Sequence, residues 1–372
     1  MYPKSLKSIH KLGQKATEKP ISSAWWSKRI LFDARPADHL WFLSTDLPSG
    51  EVWDAYRAYN EFLSMQLADA GLDRQSARVR DCANRLFFAQ LLNPETGERG
   101  LKLVRASFCH YRHCFICQWR RSLRAKAILM SALPEVLRKY PNARFAVLTL
   151  TVRNCPIADL RQTILSMNRG WQRLIQRKDW PAQGWIRGVE VTVGEDGTAH
   201  PHFHALLMLP SSYFSGAGYV STKKWVQLWK EAMRLDYDPY CDIRVIKPRL
   251  ASPSSCDGRE THLDAVFGAV SEVAEHVTKT EIFEGVSGAV GYSAKAEYLF
   301  HCEPDWLREY VRQVHALKFL TSGGVLKGIF KDVREGEDKD VLRVGGKASV
   351  EDWLAYCWQP KLRRYARKRD AG

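Results

Sequence analysis

Apolar positions recur along this chain with two periods, and the switch between them marks out the elements. Residues 144–153, read RFAVLTLTVR, are almost continuously apolar and β-branched, which predicts a buried strand. Residues 185–193 predict another. Gly194, Glu195, Asp196, Gly197 and Thr198 then supply hairpin chemistry before a third strand, which runs into Ala205-Leu206-Leu207-Met208-Leu209. A second hairpin is predicted from residues 86–92 and 101–106 around a turn of Asn, Pro and Gly, and residues 241–245 read as a further strand. Helical spacing governs Val52, Tyr56, Tyr59, Leu63 and Leu67, whose aromatic stripe belongs to a core. It returns in Leu160, Ile164, Met167, Trp171 and Leu174, in Trp225, Leu228, Trp229 and Met233 behind a Thr222 cap, and in Leu307, Val311, Val314 and Leu317. Residues 118–126 predict a basic helix, residues 350–358 a short helix and residues 248–259 a Ser-, Pro- and Gly-rich loop.

Composition narrows the class. At 372 residues and 45% hydrophobic content the chain has room for two or three domains with a proper core, which excludes a disordered or fibrous protein. Lys and Arg number 56 against 41 Asp and Glu, a net charge of +15 that points to a polyanionic partner. The 13 Trp, mixed with Arg, suit stacking on unpaired bases, although many sit at helical spacing and belong to the core. Residues 1–24 read as a basic leader without the apolar stretch of a signal peptide, and no later segment approaches a membrane span. A cytoplasmic location follows as an expectation, with the nine cysteines reduced or metal-bound.

Two clusters carry candidate chemistry. His200, His202 and His204 alternate along the third strand, so their rings project to one face while Phe203 and Ala205 take the other. If the turn centres near Asp196, Glu190 falls opposite His202 and His204. A carboxylate with two or three imidazoles suits a divalent metal that keeps positions open for a substrate oxygen. Packing alone is a poor reason for the arrangement, because each buried imidazole needs its own partner. In the second cluster, Cys114 and Cys117 stand in a Cys-x-x-Cys beside Cys109, with Cys82 returned by the hairpin, enough for a tetrahedral structural zinc. His110 or His113 would substitute if Cys82 lay too far away. The alternative, a redox pair, is disfavoured by the nearby Cys109 and by the lack of a parallel-sheet pattern. Arg120, Arg121, Arg124 and Lys126 then form a helix face that is either laid along DNA or merely solvated.

HPHFHALL following WIRGVEVT resembles the second motif of the rolling-circle plasmid replication initiators, members of the HUH endonuclease superfamily. In that family the two histidines of a His-hydrophobic-His motif hold Mg or Mn against the scissile DNA phosphate. The resemblance therefore makes His202 and His204 the ligands, with Glu190 or His200 a third. RFAVLTLTVR is similar to the first motif, which makes Thr149 and Thr151 supporting residues, and a Cys-rich segment ending in CQWRR is typical of the same proteins. Over roughly residues 80–330 the resemblance implies an α/β (α+β) fold, with a central, mainly antiparallel sheet flanked by helices and an N-terminal helical and zinc-binding region. The units it suggests are an N-terminal helical region (1–80), a zinc-binding hairpin and basic helix (81–130), a nickase domain (140–330) and a basic C-terminal tail (331–372).

The family's chemistry also needs a tyrosine nucleophile, since simple hydrolysis would discard the bond energy required for rejoining. Glu272, His276 and Lys279 match the family's Glu-x3-Tyr-x2-Lys helix with His in place of Tyr. Tyr292 and Lys295 give Tyr-x2-Lys intact, with Gly288 where the Glu would stand. Order and spacing from Tyr292 through Trp306 to Lys327 look like the end of the family's catalytic region. Tyr292 is therefore the expected nucleophile, and Lys295 steadies the phosphate charge. With Gly288 in place of the Glu that activates water at termination in the family, Glu272, Glu281 or Glu284 substitutes, or termination runs differently. The implied function is initiation of rolling-circle replication on plasmid double-strand origin DNA, single-stranded at the nick site. Mg or Mn and a structural Zn are the implied cofactors, and a host helicase and polymerase the further partners. A transposase or relaxase would share such a site, although the missing P-loop disfavours large relaxases. A non-catalytic, zinc-containing origin-binding repressor is favoured by His276 and Gly288.

Overall fold

The computed structural model describes residues 40–246, 303–329 and 349–368, apart from residues 48, 93, 95, 96, 98, 195 and 215–217. Among these residues the fold is α+β: two five-stranded antiparallel sheets flanked by seven α-helices. The described part begins with β1 (Leu40–Phe42), α1 (Leu43–Asp46), α2 (Gly50–Asp69) and α3 (Asp73–Asp81), followed by the hairpin of β2 (Arg85–Leu92) and β3 (Arg99–Ala106). Next come α4 (Phe115–Lys139), β4 (Arg144–Thr151), α5 (Leu160–Ile175), the hairpin of β5 (Gly184–Val193) and β6 (Ala199–Leu209), α6 (Thr222–Met233) and β7 (Cys241–Val245). The last described elements are α7 (Pro304–Val314), β8 (Leu320–Gly324), β9 (Ser349–Gln359) and β10 (Arg364–Lys368).

One sheet has the strand order β7-β4-β6-β5-β8. Alternation along β6 gives its two faces different fates. Phe203 faces helices α5 and α6, with its ring 6.2 Å from Trp171 and 6.1 Å from Trp229. The opposite face starts with His200, His202 and His204 and continues with Leu206 and Met208. Those last two join Leu129, Leu133 and Leu137 of α4 in one apolar cluster. Each such buried Leu contributes about 1.5–3 kcal/mol. Helix α4 therefore roofs only half of that face. The histidine half stays partly open, and the His204 side chain is 20% exposed.

The other sheet has the order β1-β10-β9-β2-β3, so it joins the two ends of the described chain. Leu86, Phe88, Leu354, Tyr356, Trp358 and Tyr365 are buried on its inner face. Helix α2 meets that face through Arg57, whose guanidinium lies 5.2 Å from the Trp358 ring, and through Asp54, which accepts the Tyr365 N–H at 2.7 Å.

Several expectations need correcting. Residues 350–358 form strand β9 and not a short helix: Leu354, Tyr356 and Trp358 are buried in strict alternation with exposed Trp353 and Ala355. Residues 364–368, expected within a basic tail, are the strand β10 that pairs with β9 and β1. The cap of α6 is Ser221, whose hydroxyl accepts the Lys224 N–H at 3.2 Å, and Thr222 is the first helical residue. The basic helix runs on to Lys139, past Pro134, and α3 is an element the periodicity did not announce. The leader at residues 1–24 and the loop at 248–259 lie outside the described residues.

Candidate metal centres

Among the described residues, two sets of side chains converge as metal ligands. The first is built by the β2–β3 hairpin, whose pairing continues through the Ala83 N–H to the Ser107 carbonyl at 2.7 Å. That closure brings Cys82, just after α3, to Cys109, just after β3. Cys114 caps the N-terminus of α4 and Cys117 lies in its first turn, where the helix dipole favours thiolates. The Sγ separations are 3.5 Å for Cys82 and Cys114, 3.7 Å for Cys82 and Cys117, and 3.8 Å for Cys109 and Cys117. A tetrahedral zinc with bonds of about 2.3 Å sets its sulfurs about 3.8 Å apart, so the four positions fit that ion. Backbone N–H groups of Cys109 and Tyr111 point at the sulfurs of Cys82 and Cys109, and Asn60 Nδ2 donates to Cys114 Sγ at 3.2 Å. Burial and the neighbouring sulfurs push the Cys114 thiol up, so four thiolates coexist only around a cation.

Cys82 is thus within reach, and neither His110 nor His113 joins the set. His113 is buried between the rings of Tyr111 and Tyr310, at 5.2 and 5.5 Å. Arg120 and Arg121 brace the same loop. The Arg120 guanidinium lies 4.2 Å from the Phe108 ring, and Arg121 donates to the carbonyls of His110 and Tyr111 at 3.3 and 3.2 Å. Arg124 and Lys126, one turn further along α4, are partly buried.

The second set is Glu190, His202 and His204. Glu190 stands directly opposite His202 in the β5–β6 register, while Gly188, with no side chain, stands opposite His204. Glu190 Oε2 lies 3.0 Å from His202 Nε2 and 2.9 Å from His204 Nε2. The far ring nitrogens are held in turn. His202 Nδ1 lies 3.2 Å from the His200 carbonyl, a contact that needs the proton on Nδ1, so Nε2 becomes a ligand when a cation replaces the proton it shares with Glu190. His204 Nδ1 lies 3.1 Å from Thr149 Oγ1. Burial works to raise the Glu190 carboxyl, but the hydrogen bonds and charges of the two imidazoles outweigh it and hold the group below the usual carboxylate range. Two imidazoles and one carboxylate on a half-open face form a donor set for a divalent ion with vacant coordination positions.

His200 is not part of this convergence. Its Nδ1 is 2.6 Å from Asn154 Oδ1, its ring is 5.2 Å from that of His202, and burial lowers its basicity. Thr149 and Thr151 share the His204 and His202 rows, and Thr151 Oγ1 donates to the Tyr240 carbonyl at 3.0 Å. Asn60 and Asn154 are the supports that sequence reasoning missed. Asn60 left one trace, a polar residue on the buried stripe of α2, whereas nothing distinguishes Asn154 within its loop. Tyr292, Lys295, His276 and Glu272 lie outside the described residues, as do Gly288, Glu281 and Glu284.

The model of the family described as "Replication protein" matches residues 100–366, which span both centres apart from Cys82. The chain belongs to this family of plasmid rolling-circle replication initiators. "Protein rep" of Bacillus amyloliquefaciens is 32% identical over 325 residues, covering 83% of this chain and 89% of that protein. "Protein rep" of Streptococcus pneumoniae serotype 2 is 38% identical over 197 residues, covering 50% of this chain and 60% of the relative. A third "Protein rep", from Bacillus sp, is 32% identical over 283 residues, covering 74% and 86%. No solved structure matches the initiator. Among the described residues no helix is long and apolar enough to cross a membrane.

Proposed function

We propose that this initiator cuts and rejoins one strand of its plasmid's double-strand origin, and that the half-open face of β5 and β6 is where it does so. The observation that carries this reading is the meeting of Glu190, His202 and His204 beside a surface that α4 leaves uncovered. Mg or Mn bound there would polarise the scissile phosphate. The histidines and the carboxylate fix the site, and the His200 carbonyl and Thr149 hydroxyl set the ring orientations. Tyr292 is the nucleophile. Its oxygen bonds to phosphorus in line as the bond to the 3′ oxygen breaks, and the departing oxygen takes a proton to become a free 3′-hydroxyl. The other product is a 5′-phosphotyrosine link, and reversal of the step rejoins the strand. Lys295 steadies the phosphate charge, and the His276 position with Glu272 is the competing location for the nucleophilic centre.

In this reading residues 81–130 form a zinc-stabilised unit whose basic helix, with Arg124 and Lys126, approaches the origin, and residues 140–330 carry the nicking chemistry. A host helicase and polymerase act on the opened origin in the cytoplasm. The deciding experiment incubates the chain with supercoiled origin plasmid and Mn, then with protease. Nicked circles with a peptide-capped 5′ end, lost in Tyr292→Phe, support it. Binding without nicks would identify the non-catalytic repressor that His276 and Gly288 favour.

A further inference from the structure

The outer face of the sheet that joins the two ends of the described chain carries exposed side chains where its inner face is buried. Cross-strand partners share a face, so the register can be read in rows across it. One row is Trp353, Ala89 and Lys102, the next is Ala355, Phe87 and Arg105, and the third runs from Cys357 to Arg85. Trp353 is 64% exposed, although an indole of that size is ordinarily among the most covered of side chains. Arg105 lies 5.9 Å from the half-buried Phe87 ring. Asp352, next along β9, accepts the Trp353 N–H at 2.7 Å, and the exposed cations of the face, Arg85 and Arg105, stand on β2 and β3.

From these features we infer that this face is a platform for single-stranded DNA, separate from the metal face. Aromatic rings on a sheet beside exposed arginines suit the two components of a nucleic acid strand: bases stack on the rings and phosphates meet the guanidinium groups. A duplex hides its bases from such a surface. Nor does an acidic protein explain an indole left 64% exposed at the end of such a row. The inference rests on the reading of the chain as acting on origin DNA, and it adds a second surface that holds the strand opened beside the nick.

The test uses the full chain, a fluorescein-labelled oligothymidylate and anisotropy, with Mg and Mn omitted so that cutting plays no part. Trp353→Ala weakens binding about tenfold, the loss of roughly one stacked base, and Trp353→Phe recovers most of it. The exposed position predicts unchanged melting for both variants, which separates a binding role from a structural one. Arg85→Ser with Arg105→Ser lowers the salt slope of binding by about 1.4, or about 0.7 for each cation removed. The inference falls if Trp353→Ala binds within about twofold of the unaltered chain, or if a duplex of equal length competes as well as the single strand. In either case nicking of supercoiled plasmid would be untouched, and the reading of the metal face would stand.

Discussion

The two centres of this initiator are built from similar means to opposite ends. Four sulfurs close around one point, three of them buried, with backbone and amide donors filling the remaining directions. Glu190, His202 and His204 instead sit at the edge of the layer formed by α4, and their three donors leave coordination positions vacant. A closed tetrahedral site contributes its binding energy to folding, whereas a three-ligand site leaves positions free for chemistry. The position of each centre along the chain follows. The thiolates tie α3, the β2–β3 hairpin and α4 together. The imidazoles lie on a strand whose neighbours on both sides already fix its register.

Exchanging damage between the centres tests this contrast most severely. Cys114→Ser should release any zinc the four cysteines hold and unfold the α3, β2–β3 and α4 segment they tie together, because about 10 kcal/mol or more of metal binding is linked to folding in such sites. Zinc content by elemental analysis and a melting curve would read this, and a chelator should reproduce it. His202→Ala should do the reverse, retaining zinc and most of the melting temperature while reducing nicking at least about a hundredfold. If Cys114→Ser melts normally, or if His202→Ala still nicks, the assignment of structural and chemical roles is wrong.

A finer comparison is between two buried carboxylates. Glu190 is held low by its imidazoles, so its contribution is present above the ordinary carboxylate range and is lost only as pH falls through the lowered value. Asp54 lies under β10, where burial outweighs its bond from the Tyr365 N–H and the nearby Arg364 and raises its pKa to about 7. A raised acid has the opposite sign. The fold favours the protonated form, so stability falls as pH rises from about 4 toward 7 and then levels off. Asp54→Asn keeps an acceptor for the Tyr365 N–H and removes the charge. It should therefore stabilise the chain above pH 7 by at most about 4 kcal/mol, with the gain vanishing near pH 4. Denaturant melts at several pH values would measure this, and a gain independent of pH would contradict it.

How much of this was legible in the sequence follows from how local each signal is. Alternation placed His202 and His204 on one face, and the turn around Asp196 set Glu190 against them, because both depend on neighbouring residues alone. The four cysteines were legible for the same reason, since the hairpin between them carried its own turn chemistry. β9 was misread because Leu354 and Trp358 also fit a helical spacing, and its partner β2 lies far away in the chain. The basic run around Tyr365 gave no hint that the Tyr hydroxyl would donate to the Ala83 carbonyl at 2.7 Å. Composition suggested aromatic contacts with bases, but Trp53, Trp171, Trp225 and Trp229 are fully buried, and it is the folded sheet that leaves Trp353 exposed.

The smallest expected effect comes from the support beneath His204. Thr149→Val keeps the shape and the β-branching of the strand residue while removing the Oγ1 that faces His204 Nδ1 at 3.1 Å. The ring then loses its orienting partner but keeps Glu190 at its other nitrogen. Metal affinity should fall by about tenfold, with melting nearly unchanged, because partners of this kind typically contribute 10- to 100-fold. A Mn titration of nicking rate would show the midpoint moving to higher concentration with the plateau preserved. A lowered plateau at saturating Mn would instead mean that Thr149 acts on the DNA and not through the imidazole. The same titration on Cys109→Ser, if that variant folds, should leave the midpoint in place, since its sulfur belongs to the other centre.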